Sequence, residues 1–138
     1  MATSAADQDV RGRTLPADRT APAAARHLLE ELTNGELDEG TFADAQLVLS
    51  ELVTNAVEYG VGESIRVDIT RCAPAAVELR VRNRVDGDGP RVPPRPWTMP
   101  GAPALRGRGL AVVQSLASWT SVTSENDWLE LRARVTPS

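Results

Sequence analysis

A two-layer α/β sandwich, with helices on one face of a mixed, mostly antiparallel sheet, is the fold class this 138-residue chain predicts. Three observations carry it. Helical signals are bunched early, between Thr20 and Tyr59. From Ile65 onward the apolar residues recur every second position. The strand-like segments also come in neighbouring pairs instead of alternating strictly with helices, which disfavours a doubly wound parallel sheet. Length and an apolar share of 41% allow one core and one domain, placed at residues 10–136.

Residues 1–9 are small and acidic, with Asp7 and Asp9, and read as a disordered tail. Val10 to Leu15 alternate weakly, as a short edge strand ending at Pro16. Thr20 is placed to cap a helix whose Pro22 suits the first turn, and Asn34-Gly35 ends it after Leu32. A second helix starts near Asp38 or Thr41 and runs to Tyr59, with Gly60 as its stop. Ile65, Val67 and Ile69 then face one way and Arg66, Asp68 and Thr70 the other. Val77, Leu79 and Val81 repeat this against Glu78, Arg80 and Arg82, so two half-buried strands turn around Ala73-Pro74. Residues 85–104 are rich in Pro and Gly and long for a loop. A short apolar helix follows at 110–117, opened by Gly107-Arg108-Gly109. Strands at 119–123 and 128–135 close the chain as a hairpin around Glu125-Asn126-Asp127.

Composition removes several function classes. No run approaches the roughly 20 apolar residues of a membrane-spanning helix, and the start of the chain lacks the basic-then-apolar pattern of a signal peptide. Cys72 is the single cysteine, so neither an internal disulfide nor a thiolate metal cluster can form. These features predict a cytoplasmic protein with no membrane partner. A net charge of −4 argues against nucleic acid as a partner. All 15 basic residues are arginine, which excludes any mechanism that needs a lysine on a phosphate, the P-loop included.

On a helical wheel Leu49, Leu52, Val53, Ala56 and Val57 share a broad stripe, and Glu51, Asn55 and Glu58 fall opposite. One reading is a solvated polar face. The other is that Glu51 and Asn55, one turn apart, point into one cavity, where a carboxamide oxygen suits Mg²⁺ and a carboxylate can take a hydroxyl proton. Some fifty residues later Gly107-Arg108-Gly109-Leu110 opens a helix directly after a loop. Glycines there let backbone approach a phosphate, and the helix start presents N–H donors. Arg106 and Arg108 can counter phosphate charge. Either signal alone is weak; the pair, in this order with strands between, is far more specific.

At these residues the chain resembles the GHKL (Bergerat-fold, histidine kinase-like) ATPases. Glu51-Leu52-Val53-Thr54-Asn55-Ala56-Val57 is similar to their asparagine box, and Gly107-Arg108-Gly109-Leu110-Ala111-Val112-Val113 to their second glycine box. Leu15-Pro16-Ala17 and Ala24-Ala25-Arg26 add a likeness to the anti-sigma factor serine/threonine kinases, over residues 13–135. The resemblance implies ATP and Mg²⁺ as cofactors, with Asn55 holding the ion and Glu51 as the base that activates a serine. Gly107 and Gly109 would border the phosphates under a lid at 91–106. It implies a sigma factor and a STAS-type anti-anti-sigma protein as partners, and a possible homodimer. The family's Asp-x-Gly-x-Gly element, whose Asp bonds adenine, is displaced here. The strand from Val77 runs into Asn83, and Asp86-Gly87-Asp88-Gly89 arrives three residues late. Adenine contact through Asn83, Asp86 or Asp88, and a plain turn-forming loop, both remain open.

Other residues have plainer readings. His27 is expected at or near the surface, since a phosphoacceptor histidine needs a dimerising helical hairpin that is missing from this sequence. Cys72 reads as a strand residue near a turn, and Trp119 and Trp128 as packing residues. Trp97, in the Pro-rich loop, is a candidate ligand or partner contact. Three functions compete: the serine kinase, a catalytically weak binding module of the same fold, and a detached ATPase domain of a histidine kinase.

Overall fold

Every ladder of the sheet is antiparallel in the computed structural model, which describes residues 9–72, 75–85 and 108–137. The strands are β1 (Asp9–Pro16), β2 (Val61–Cys72), β3 (Ala76–Arg84), β4 (Trp119–Glu125) and β5 (Trp128–Val135), in spatial order β1-β2-β3-β5-β4. The mixed sheet expected from sequence is therefore uniform among the described residues. Each connection that crosses between neighbouring strands reverses direction, so no parallel pair arises. The turn at Ala73-Pro74 and the loop from Asp86 to Gly107, with the expected lid and Trp97, lie outside the described residues.

Helices α1 (Ala21–Thr33), α2 (Glu39–Tyr59) and α3 (Arg108–Leu116) cover one sheet face. Thr20 stands at the first cap but makes no side-chain cap. Its N–H and Oγ1 both donate to Asp18 Oδ1, at 2.8 and 2.5 Å, and hold that carboxyl below its usual range. Asn34 ends α1 in the left-handed conformation that asparagine tolerates. Asp38 caps α2 by accepting the Thr41 N–H at 2.8 Å. Gly60, at the other end of α2, has an ordinary extended backbone, so the left-handed stop is not its role. Glycine is needed there for space: a Cβ would lie 2.5 Å from Ala56 O and 2.7 Å from Asn83 Nδ2.

The core lies between these layers. Leu49, Leu52 and Val53 of α2 press on Ile65, Val67, Ile69, Leu79, Val81 and Leu131, all essentially inaccessible, while Leu28 and Leu29 of α1 and Val113 of α3 close the flanks. These strand residues are the odd-numbered set of a period-two pattern, as the sequence indicates.

The opposite sheet face differs from the simple solvated face expected. Asp68 is buried on it, with a side-chain exposure of 5%. Arg66 Nη2 lies 3.1 Å from Oδ1, and Arg80 and Arg82 Nη2 lie 3.3 and 3.9 Å from Oδ2. Gly12, its β1 neighbour in register, leaves the carboxylate room; any Cβ at that position would overlap Oδ1. Glu130 and Glu78 extend the lattice to Arg132 and Arg134. The three arginines around Asp68 keep 29–42% exposure, so desolvation falls mainly on the one carboxylate. Asp68→Ala is expected to lower unfolding free energy by about 2–3 kcal/mol, because three guanidinium groups lose their shared partner. Urea denaturation measures this, and a loss below about 0.5 kcal/mol would show the lattice to be ornamental surface charge.

Candidate nucleotide site

Helix α2 passes across the sheet with its apolar stripe fixed against β2 and β3, and that rotation sets where its polar residues go. The sequence places Glu51, Asn55 and Glu58 together on the side away from the stripe. The structure divides them. Glu58 is exposed, Glu51 half-buried and Asn55 buried at 7% exposure. Val57, assigned to the apolar stripe, is only half-buried. A second helix accounts for part of the difference: α3 packs along α2, and its first turn lies against Glu51, which a lone wheel leaves in solvent.

The carboxylate of Glu51 lies against the first turn of α3. A methyl group on Gly109 would overlap Glu51 Oε2, and the carboxyl carbon would stand 3.0 Å from it. Glycine at this helix start is thus a contact requirement between the two sequence motifs. Burial pushes the Glu51 pKa above its ordinary value, and the neighbouring Glu58 carboxylate adds to the rise. Such a group can accept a proton near neutral pH more readily than a surface glutamate.

One turn along α2, Asn55 Nδ2 is buried with no hydrogen-bond partner among the described residues. An unpaired buried amide costs free energy and is uncommon unless a ligand satisfies it. Asn83, on the helix-facing side of β3, repeats the pattern. It is 2% exposed, its Nδ2 donates to Arg84 O at 3.1 Å, and its Oδ1 is buried without a partner. Asn83 stands beside Gly60 at the C-terminal end of α2. Val85, the last described residue after β3, donates its N–H to Asp127 O at 2.7 Å, which ties the strand exit to the β4–β5 turn.

Of the residues nominated from sequence, Glu51 and Gly109 meet at the α2–α3 contact, Asn55 lies one turn from Glu51 on α2, and Asn83 stands beside Gly60 at the end of the same helix. Leu110 is buried in the core instead of lining a surface. Asp86, Asp88, Arg106 and Gly107 lie outside the described residues, as does the side chain of Arg108. No cluster of three or more His, Cys, Asp or Glu side chains suited to a metal ion occurs among the described residues. The side-chain oxygen of Asn55 suits a hard ion that takes its remaining ligands from phosphates and water, whereas its unpaired Nδ2 is a donor that calls for an acceptor such as a phosphate oxygen. His27 is exposed and Cys72 half-buried at the end of β2. Sequence reading gave Gly60 only the role of a helix stop and did not single out Gly12; a Cβ at either would meet a side chain distant in the chain, Asn83 or Asp68.

The Glu51 shift has a stability consequence. Its folded-state pKa lies above the unfolded value, so the folded chain holds this proton longer. That contribution is fully present below about pH 4.5 and is lost as pH rises through the raised folded value. Glu51→Gln carries no charge at any pH. At pH ~7 it is expected to unfold at higher urea than the parent, by less than about 1 kcal/mol for a half-exposed group. The two denaturation curves should converge near pH ~4; a difference independent of pH would contradict the burial of this carboxylate.

Comparison with known proteins supports the fold. No curated protein matches the chain significantly. Thirteen solved chains match it. One is the crystal structure of the RsbU and RsbW domains of Rv1364c from Mycobacterium tuberculosis, similar over 92% of this chain with a TM-score of 0.66 at 20% identity. This chain spans 32% of that one, and the likeness is one of fold. The sequence profile of the histidine kinase-like ATPase domain matches residues 15–135. That match runs from the end of β1 through β5 and includes both motifs that meet at Glu51 and Gly109, and the chain belongs to the histidine kinase-like ATPase domain family.

Proposed function

We propose that this protein binds Mg-ATP between α2, the end of β3 and the start of α3, and phosphorylates a serine on a STAS-type anti-anti-sigma partner. The observation that carries the reading is the half-buried Glu51 carboxylate held against Gly109, with the unsatisfied Asn55 amide one turn away. Its family binds ATP with Mg²⁺. Bound Mg-ATP supplies the transferable phosphoryl group. Asn55 would hold the ion through its side-chain oxygen, and backbone N–H groups at the start of α3 would face the phosphates, with Arg106 and Arg108 as counter-charges. Asn83 Oδ1, buried and unpaired, suits the amino group of adenine. Glu51 would take the proton of the attacking serine hydroxyl, a task its raised pKa favours. Phosphorylation of the partner would free this protein to hold a sigma factor. The kinase and partner assignments rest on the sequence likeness to anti-sigma factor kinases, and we place the protein in the cytoplasm on the same reading.

A second reading, a binding module with little catalysis, is favoured by one feature. The strand ends on an uncharged Asn83, and Asp86-Gly87-Asp88-Gly89 follows out of register with the family pattern. A neutral acceptor holds adenine more weakly than a carboxylate. Two substitutions separate the readings. Asn55→Ala is expected to weaken Mg-ATP binding and transfer together. Glu51→Gln is expected to leave calorimetric binding within about twofold and to cut serine phosphorylation roughly 10²-fold, the lower end for a positioned base. Wild-type transfer by Glu51→Gln removes Glu51 from catalysis. Absence of transfer by the parent protein with intact nucleotide binding establishes the binding module.

A further inference from the structure

We infer that the β4–β5 turn fixes which way the Asn83 carboxamide faces, and thereby makes the site take a 6-aminopurine over a 6-oxopurine. Asp127 and Trp128 are positioning residues that act through the backbone of Arg84, an assignment that rests on the nucleotide site proposed above.

A carboxamide has two arms of opposite character, one accepting hydrogen bonds and the other donating them. With Oδ1 presented to a base, residue 83 pairs with an exocyclic amino group; with Nδ2 presented, it pairs with an exocyclic oxygen. A half-turn about the last side-chain bond exchanges the two, and the surroundings decide between them. Here Nδ2 donates to Arg84 O at 3.1 Å, and Oδ1 is buried without a partner. Gly60 leaves the donor arm its room, since a Cβ there would stand 2.7 Å from Nδ2. The reversed amide would set two acceptors, Oδ1 and Arg84 O, against each other. An ionised carboxylate at this position would likewise have no proton for that carbonyl. The direction of the Arg84 carbonyl therefore selects the arm that reads the base.

That carbonyl is held from the neighbouring hairpin. Arg84 C=O and Val85 N–H belong to one planar trans peptide unit, so fixing the N–H fixes the direction of the C=O. Val85 N–H donates to Asp127 O at 2.7 Å. Asp127 and Asn126 form the turn between Glu125 and Trp128, which pair across it. Asn126 shapes this turn with a φ of 54°, a left-handed conformation that asparagine tolerates and β-branched residues do not. Arg84 is also the ladder partner of Trp128, and its guanidinium lies 5.3 Å from the Trp128 ring centre. Trp128, like Trp119, is 43% exposed, contrary to the packing role the sequence suggests. Its ring covers Arg84 instead of filling the core. On the β2 side the register shifts between Val61 and Ile65, beside Arg84 and Asn83, so the regular support of this peptide comes from β5.

Calorimetry with Mg-ATP and with Mg-ITP, whose base carries oxygen in place of the 6-amino group, reads the preference in the full chain. Hydrogen exchange at the Val85 amide reads the turn without nucleotide. The parent is expected to favour ATP by roughly tenfold or more, the effect of leaving a buried acceptor unpaired, and to protect Val85. Asn126→Val strains the turn; it should lose that protection and narrow the preference to within about threefold. Asn126→Gly adopts the same backbone freely and should keep both. Trp128→Ala should narrow the preference too, and Trp128→Phe, which keeps a ring face for Arg84, should restore most of it. With Asn83→Asp both arms accept, so no orientation can be lost: ATP stays preferred, and adding Trp128→Ala leaves the ratio unchanged. Equal affinity of the parent for ATP and ITP leaves Mg-ATP binding standing and overturns the inference. Equal weakening of both nucleotides by Asn126→Val and Trp128→Ala, at an unchanged ratio, overturns it as well, since that is what a purely structural turn would do. Binding of neither nucleotide by the folded parent overturns the nucleotide site itself and this assignment with it.

Discussion

The rotation of α2 on the sheet is the constraint on which the rest of the structure depends. Its stripe of Leu49, Leu52 and Val53 has no solvent exposure and meets strand residues that have next to none. In an interior packed as densely as a crystal, such a helix cannot turn by even a few tens of degrees without opening voids. With that stripe fixed, the residues at its edges are fixed too. Glu51 lies half-buried where the core ends and α3 begins, and Asn55, one turn along, is buried. The raised pKa of Glu51 and the unsatisfied amide of Asn55 are both consequences of that position.

Helix α3 completes the arrangement because its first turn carries no side chain at Gly109. The carboxylate of Glu51 occupies the space a Cβ would take, so the two motifs touch although more than fifty residues separate them. Two asparagines, Asn55 on α2 and Asn83 on β3, carry buried polar atoms with no partner among the described residues, which costs free energy. Such costs persist where a ligand satisfies the groups.

An antiparallel sheet with helices on one side must present its other side to water or to a partner. This chain does so with alternating charge instead of neutral polar residues. The lattice around Asp68 also fixes register: Gly12, Asp68 and Arg80 stand in one row, and a slip of one residue would drive the carboxylate into the apolar layer.

Periodicity, caps and turn residues alone determined the elements and their order. The switch from a 3.6 to a 2.0 period, Asp38 before α2, Asn34 after α1 and the Asn126 turn are local signals, and local backbone preference decides them. The motifs at Glu51–Asn55 and Gly109 were legible for the same reason, as residue types at fixed spacing. What the tertiary structure decided is environment. Glu51 is half-buried with α3 against it, and Asp68 is buried because Gly12 and three arginines from two strands close over it. Gly60 is glycine because Asn83 approaches from another element, and the tryptophans are exposed because none of the described helices covers their face. Each outcome depends on a neighbour distant in the chain, and a pattern read along one segment contains no term for it.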